Sequence, residues 1–121
     1  MNGEGLSIGD WVSYRGKMPC KVLEVRENLA LIDNGTGQKW AIEYSKLEPI
    51  PITRKILFKN GFLKKQLLNE FMLFHGADKV LSLYDEDEGF VTGEYKQMTI
   101  HCVHELQHLL LLCGIEINFE L

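Results

Sequence analysis

The sequence predicts an α+β protein, with a small, strongly bent β-barrel in residues 1–52 and a small α+β unit in residues 53–121. Short alternating segments separated by tight turns fill the first part, whereas helical periodicity appears near the end of the second part. The stretch 47–52, LEPIPI, joins the two parts, because its two prolines remove backbone donors and favour extended structure.

The first part of the chain reads as a series of short strands. Candidate strands lie at residues 11–15, 20–26, 29–33 and 39–43. Asn34-Gly35 is the strongest hairpin signal in the chain, because both residues accept positive φ. Short strands in close succession with tight turns are typical of a small bent barrel.

The stretch GDWVSYRGKMPCKVLEVRENLALIDNGTGQKWAIEYSKLEPI resembles SH3-like barrels of the Tudor and KOW kind, in its strand rhythm and its opening Gly-Asp-Trp-Val. This resemblance implies a fold and assigns no binding residues. Candidates for an aromatic surface, by which such modules hold peptides or bases, are Trp11, Tyr14, Trp40 and Tyr44. Alternatively, Trp11 and Trp40 fill the core, and strand alternation favours this for Trp40.

The second part begins with a short helix and continues as strands. Thr53 is a candidate N-cap for a helix from Arg54 to Lys59, which Asn60-Gly61 ends. Residues 63–71 fit either a helix or a strand, and we favour a strand from about Leu68 to His75. Further candidate strands lie at residues 78–84 and 90–93.

Residues 102–113 have helical periodicity, and Gly114 follows where a helix would end. The predicted core-facing stripe of this helix comprises Cys102, Val103, Leu106, Leu109, Leu110 and Cys113. Leu111 and Leu112 lie outside that stripe, so another element or a partner chain covers them, and self-association through them is one interpretation. Residues 115–121, IEINFEL, alternate in polarity and predict a final strand.

The segments EPIPITRKILFKNGF and VHELQHLLLLCGIEINFEL resemble a group of small proteins from prophages and mobile elements of Bacteroidetes bacteria. In that group, an EPIPLT…ILxxxGF joint follows a short β region, and a VHxLQxLxxxLxG helix with an acidic, apolar strand closes the chain. The resemblance implies an α+β fold and a cytoplasmic protein, and it implies no activity. Glu105 and His108 depart from the typical helix of the group.

The motif HELQH, from His104 to His108, matches HExxH. On one helix face, both imidazoles can ligate a zinc ion while Glu105 acts as general base on a zinc-bound water. His101 falls on the same stripe and is a third candidate ligand. No further ligand stands at the customary spacing after the motif, so we favour the alternative, the polar face of an amphipathic helix.

Composition argues against several classes of protein. A net charge of −4 is uncommon in a general nucleic-acid binder. No apolar run approaches the roughly 20 residues of a membrane helix, and the N-terminus is unlike a secretory signal, so we predict no membrane association. Three widely spaced cysteines without a CxxC pair fit buried free thiols in a reducing cytoplasm.

One segment is basic despite the negative total. Between residues 54 and 65 there are five cations and no acid, namely Arg54, Lys55, Lys59, Lys64 and Lys65. Beside a small barrel, this segment could hold a phosphate backbone while Tyr14 or Tyr44 stacks on bases. A solvated surface is the simpler interpretation.

Taken together, these features favour a non-enzymatic accessory or binding protein of a prophage or mobile element, with no cofactor. The favouring features are small size, an SH3-like first half, the lack of a complete catalytic set, and the family resemblance. Two alternatives stay open. One is a zinc-dependent hydrolase that uses His104, Glu105 and His108, and the other is a nucleic-acid-binding module that uses residues 54–65.

Overall fold

The structure, a computed structural model, describes residues 1, 3–65, 69–86, 89–93 and 98–121. Within these residues the chain forms two five-stranded antiparallel sheets and two α-helices, as an α+β protein requires. It divides into two compact units. Unit 1 comprises Met1–Pro51 and Cys102–His104, and unit 2 comprises Ile52–His101 and Glu105–Leu121.

Unit 1 is an antiparallel sheet with the strand order β4-β3-β2-β1-β5. Its elements are β1 (Trp11–Tyr14), β2 (Met18–Val25), β3 (Leu29–Asp33), β4 (Lys39–Glu43), the 3₁₀ turn η1 (Tyr44–Lys46) and β5 (Leu47–Glu48). The first four strands lie where alternation predicts them. The buried core of this unit consists of Leu6, Val12, Cys20, Val22, Ala30, Ile32, Tyr44 and Leu47.

The predicted barrel is not closed by the strands that the structure describes. β4 and β5 each have one neighbour, so the sheet has two edges. β5 is only two residues long, which is too short to close a barrel against a full strand. Strand rhythm is the same for a closed barrel and for an open sheet, so the sequence could not distinguish them.

Helix α1 (Arg54–Lys59) begins and ends as predicted. The side chain of Thr53 accepts a hydrogen bond of 3.2 Å from the backbone N–H of Ile56, which caps the helix. Gly61 has a φ of 91°, and it ends the helix with the paired hydrogen bonds of a Schellman motif.

Unit 2 contains the second sheet, with the strand order β10-β9-β8-β7-β6. Its strands are β6 (Leu63–Lys64), β7 (Glu70–His75), β8 (Asp78–Glu86), β9 (Gly89–Thr92) and β10 (Thr99–Ile100). Of the ambiguous residues 63–71, the structure places 63–64 and 70–71 in strands and leaves Lys65 and Asn69 outside them, and the expected start at Leu68 lies outside the described residues. One face of the β7–β8 pair is apolar and buried, through Phe71, Leu73, Leu81 and Leu83.

A buried carboxylate lies on the opposite face of this pair. Oε2 of Glu70, a residue that is 4% exposed, accepts hydrogen bonds of 3.0 Å from both Ser82 Oγ and Tyr84 OH. The ammonium of Lys79 is 3.8 Å from the same oxygen. Burial opposes ionisation, but the two hydroxyls and the charges of Lys79 and Lys65 outweigh it and lower the pKa of Glu70.

Helix α2 (Val103–Leu112) is one residue shorter at each end than the predicted helix over 102–113. Gly114, with a φ of 72°, ends it in a second Schellman motif. The predicted core stripe is buried except at Cys113, which is exposed because it lies beyond the last helical residue. Leu111 and Leu112 are 69% and 81% exposed.

The predicted final strand over residues 115–121 is wrong, because this segment joins no β-ladder. Its Phe119 is buried. At Glu120, the backbone N–H donates to Asn60 Oδ1 at 2.8 Å, and the carbonyl accepts from Asn60 Nδ2 at 2.6 Å. An amide side chain thus takes the place of a neighbouring strand, and Lys59 donates to the carbonyl of Leu121.

Leu106→Ala is expected to lower the free energy of unfolding by about 2–5 kcal/mol, because Leu106 is fully buried and truncation leaves a cavity. Leu112→Ala on the same helix is the matched control and should change it by less than about 0.5 kcal/mol. Urea unfolding followed by circular dichroism measures both. Equal losses in the two variants would contradict the assigned burial of this helix.

Glu70→Gln is expected to lower stability at neutral pH by about 1–3 kcal/mol, because it removes a charged acceptor of two buried hydroxyls. The folded pKa lies below the ordinary value of 4.5. The ionised group therefore stabilises the fold above that pH, and this contribution is lost as the pH falls through 4.5 towards the folded pKa.

Urea midpoints measured across this pH range test the role of Glu70. Glu70→Gln should remove part of the loss of stability in acid, whereas the exposed control Glu116→Gln should retain it. A Glu70→Gln variant with wild-type stability and wild-type acid sensitivity would contradict the assigned role of this carboxylate.

Candidate functional site

Glu105 of the HELQH motif caps the start of α2. Its Oε1 accepts a hydrogen bond of 2.9 Å from the backbone N–H of His101, and the Nδ1 of His101 is 3.6 Å from the same oxygen. A carboxylate in the first turn satisfies a free donor and lies at the positive end of the helix dipole. The arrangement ties the first turn of α2 to the backbone of His101, which precedes the helix.

His104, the first histidine of the motif, contacts a cysteine. Cys102 Sγ lies 3.5 Å from Nδ1 and 3.6 Å from Nε2 of His104, and Cys102 is buried. His108 is half-buried one helical turn later. Among the residues that the structure describes, no group of three or more His, Cys, Asp or Glu is placed to hold a metal ion. The third ligand that a zinc site needs is therefore not supplied there.

The basic segment 54–65 is partly engaged in internal contacts. Arg54 donates to Asp85 Oδ2 from Nε at 3.0 Å and from Nη2 at 2.8 Å, and its guanidinium lies 5.8 Å from the centre of the Phe71 ring. Lys59 is bonded to the carbonyl of Leu121. The remaining predicted cations, Lys55, Lys64 and Lys65, are exposed.

Tyr44, a predicted stacking residue, lies in the core and exposes little of its ring. The residue is 7% exposed, and its hydroxyl donates to the carbonyl of Arg26. Its ring also lies so close to Gly3 that a Cβ there would be 2.6 Å from the ring. The turn η1 directs this side chain into the core, which strand alternation alone does not reveal.

Tyr14 and Trp40 form an aromatic pair at the rim of the unit 1 core. Their ring centroids are 6.4 Å apart at an interplanar angle of 77°. Both rings are half-buried and pack against the core cluster, so Trp40 borders the core that it was expected to fill. Met18, the cross-strand partner of Tyr14, is 36% exposed beside this pair. We call Tyr14, Arg15, Met18 and Trp40 the rim site.

Trp11 is not part of the rim site. Successive side chains of a strand point to opposite faces, and Val12 of β1 is the residue in the core. Trp11 instead pairs with Lys21, whose ammonium lies 5.8 Å from the centre of the indole ring. The four aromatic side chains considered from the sequence thus separate into one buried residue, one on the outer face, and two at the rim.

Arg15 and Met18 are the residues of the rim site that sequence reasoning missed, and Arg15 has an unusual backbone. Its φ is 54°, and it is the one non-glycine residue with positive φ in the part of the chain that the structure describes. An L-residue pays about 1–2 kcal/mol for this left-handed conformation. Its guanidinium lies over the Tyr14 ring, 5.3 Å from the centroid. The pair Arg15-Gly16 indicates a turn, but it does not indicate that Arg15 adopts a positive φ.

The turn is held by two backbone hydrogen bonds. The N–H of Lys17 donates to the carbonyl of Tyr14 at 3.1 Å, and the N–H of Arg15 donates to the carbonyl of Lys46 at 2.9 Å. These bonds bring Arg15, Lys17 and Lys46, all exposed, to one end of the sheet. The rim site therefore combines aromatic surface with positive charge.

Comparisons of the chain with protein-family models, with curated proteins and with solved structures found no match. No helix within the described ranges has the length and apolar character needed to cross a membrane. Function must therefore be inferred from the side chains of this chain.

Glu105→Ala is expected to lower the free energy of unfolding by about 0.5–2 kcal/mol, because it leaves the His101 N–H without its carboxylate acceptor and removes a favourable charge. Glu105→Gln retains an acceptor and should lose less. Urea unfolding measures both variants, with the exposed Glu116→Ala as control. A neutral Glu105→Ala would contradict the capping role.

Proposed function

We propose that this protein is a non-enzymatic accessory protein of a prophage or mobile element, that it works in the cytoplasm, and that it binds a partner through the rim site. The observation that carries this proposal is the Tyr14–Trp40 pair, which is half-buried and has an arginine stacked beside it. Aromatic residues with one face on a core and one open edge are typical of binding surfaces.

We further propose that unit 1 is an SH3-like module. In support, β1–β4 form a meander, the 3₁₀ turn η1 follows, and β5 returns to pair with β1 at Ser13↔Glu48 and Tyr14↔Leu47. The β1–β2 turn and β4 then border the core face at the aromatic pair. SH3 domains bind extended peptides in aromatic-lined grooves, so this placement agrees with a role in binding.

Enzymatic chemistry has less support from the side chains. A catalytic zinc site uses three protein ligands and an open position, whereas Glu105 caps α2 and His104 contacts Cys102. Cys20 is a poor candidate nucleophile, because burial raises the pKa of its thiol.

Fluorescence anisotropy of dye-labelled probes tests the rim site directly, because this signal does not depend on either tryptophan of the protein. The probes are short proline-rich, acidic and basic peptides together with single-stranded oligonucleotides, titrated one at a time. At least one class should bind, Trp40→Leu should abolish the binding, and Trp11→Leu should preserve it, because Trp11 lies on the other face of β1. Circular dichroism establishes that both variants fold. If no class binds, or if both variants bind alike, the proposed role of the rim site is wrong.

Removal of metal is expected to have no effect on the fold. Elemental analysis of protein purified without a histidine tag should find zinc well below one per chain, and chelator should leave the urea midpoint unchanged. His104→Ala and His108→Ala should each have the same urea midpoint with and without chelator. Stoichiometric zinc that the double variant loses would overturn the non-enzymatic assignment.

A further inference from the structure

We infer that the ligand of the rim site is a single-stranded nucleic acid and that Arg15 selects it. This inference rests on the proposed function of the rim site and adds the chemical class of the ligand. Four features of the site carry it: a resident cation, the local charge, the open aromatic surface, and the backbone of Arg15.

The resident cation disfavours positively charged ligands. Arg15 already lies over the Tyr14 ring at 5.3 Å, so this ring is not an empty cage for an ammonium or guanidinium group. The outer face of the sheet offers no alternative at Trp11, because Lys21 lies 5.8 Å from that ring. A basic or methylated peptide would bring a second cation against the first, whereas an anion would meet a complementary charge.

The charge around the site is positive although the chain carries −4 overall. Arg15, Lys17 and Lys46 are exposed and are joined through the backbone bonds of the turn. Two acids border them: a Cβ on Gly16 would lie 2.6 Å from Oε2 of Glu48, and Asp33 follows Ile32, the cross-strand partner of Trp40. The three cations outnumber these two carboxylates and form a local surface that complements a polyanion.

The aromatic surface distinguishes between polyanions. Tyr14 and Trp40 meet at 77°, and Met18 extends the apolar surface beside them. Unpaired bases stack on aromatic rings and on guanidinium planes, and the phosphates beside them bind cations. An acidic peptide has the charge but no planar groups to stack, and a duplex keeps its bases stacked inside. A single strand supplies both components.

The backbone of Arg15 is the fourth feature. At a φ of 54°, glycine or asparagine would be the less strained residue. The contact of Arg15 with the Tyr14 ring stabilises the fold, since a cation over an aromatic ring is attracted to it. This gain is smaller than the cost of the left-handed conformation, and a ligand-binding role of the guanidinium accounts for the difference.

Arg15→Asn separates binding from folding. Asparagine adopts the left-handed conformation more readily, so the variant should melt at the wild-type temperature or about 2–5 °C above it. Its affinity for a fluorescein-labelled single-stranded DNA of mixed sequence, measured by anisotropy at low salt, should fall about tenfold or more. The matched control is Lys64→Asn, which removes an exposed cation of unit 2 and should leave the affinity unchanged.

The salt dependence of the affinity shows how many phosphates of the oligonucleotide the protein contacts. Each contact to a single strand contributes a slope of about −0.7 to log K against log salt. The cations of the rim predict a total of about −1.4 to −2.1, and Arg15→Asn should reduce its magnitude by about 0.7. A much steeper slope that Lys64→Asn reduces would place the nucleic acid on residues 54–65 and overturn the inference.

The remaining outcomes distinguish this inference from the proposed function. If an acidic peptide binds more tightly than the oligonucleotide and Trp40→Leu abolishes its binding, the rim site stands and the nucleic-acid inference is wrong. If the oligonucleotide binds Arg15→Asn as tightly as wild type, Arg15 does not select it and the inference is again wrong. If neither class of probe binds, both proposals are wrong.

Discussion

The small core of the unit 1 sheet is the constraint on which the rest of that unit depends. Each β-strand of unit 1 is at most eight residues long, so its core is small, and large side chains at its border are only partly covered. Tyr14 and Trp40 pack against the core and yet keep an open edge. The rim site is thus a direct consequence of how little apolar surface the sheet can cover.

Where strands and helices end, polar side chains supply the hydrogen-bond partners that regular secondary structure does not. Asn60 hydrogen-bonds both backbone groups of Glu120, Glu105 accepts the N–H of His101, and Glu70 accepts two hydroxyls. A buried or terminal backbone group without a partner is costly. This requirement explains why Glu105, which the sequence places in a metal-binding pattern, has a structural role, and why an alternating C-terminal segment stays outside the sheet.

Local signals predicted the elements of this chain well because they act over a few residues. Thr53 and Gly61 bound α1, Gly114 ends α2, and the alternation of β1–β4 matches the observed strands. The residues of the candidate site were harder to predict from the sequence. Tyr14 was identified, whereas Tyr44 is buried and Arg15 was missed. The turn η1 takes Tyr44 out of the alternating strand pattern. The backbone strain at Arg15 cannot be recognised from composition or periodicity.

The sequence by itself determined the α+β class, the N-cap of α1, the glycines that end both helices and most of the apolar stripe of α2, since each depends on the intrinsic preferences of neighbouring residues. Only the tertiary structure decided that the first sheet stays open, that residues 115–121 pair with an amide side chain, and that an arginine lies on the Tyr14 ring. Those outcomes depend on which distant groups come within hydrogen-bonding or packing distance. A sequence pattern does not show which residues far apart in the chain come into contact.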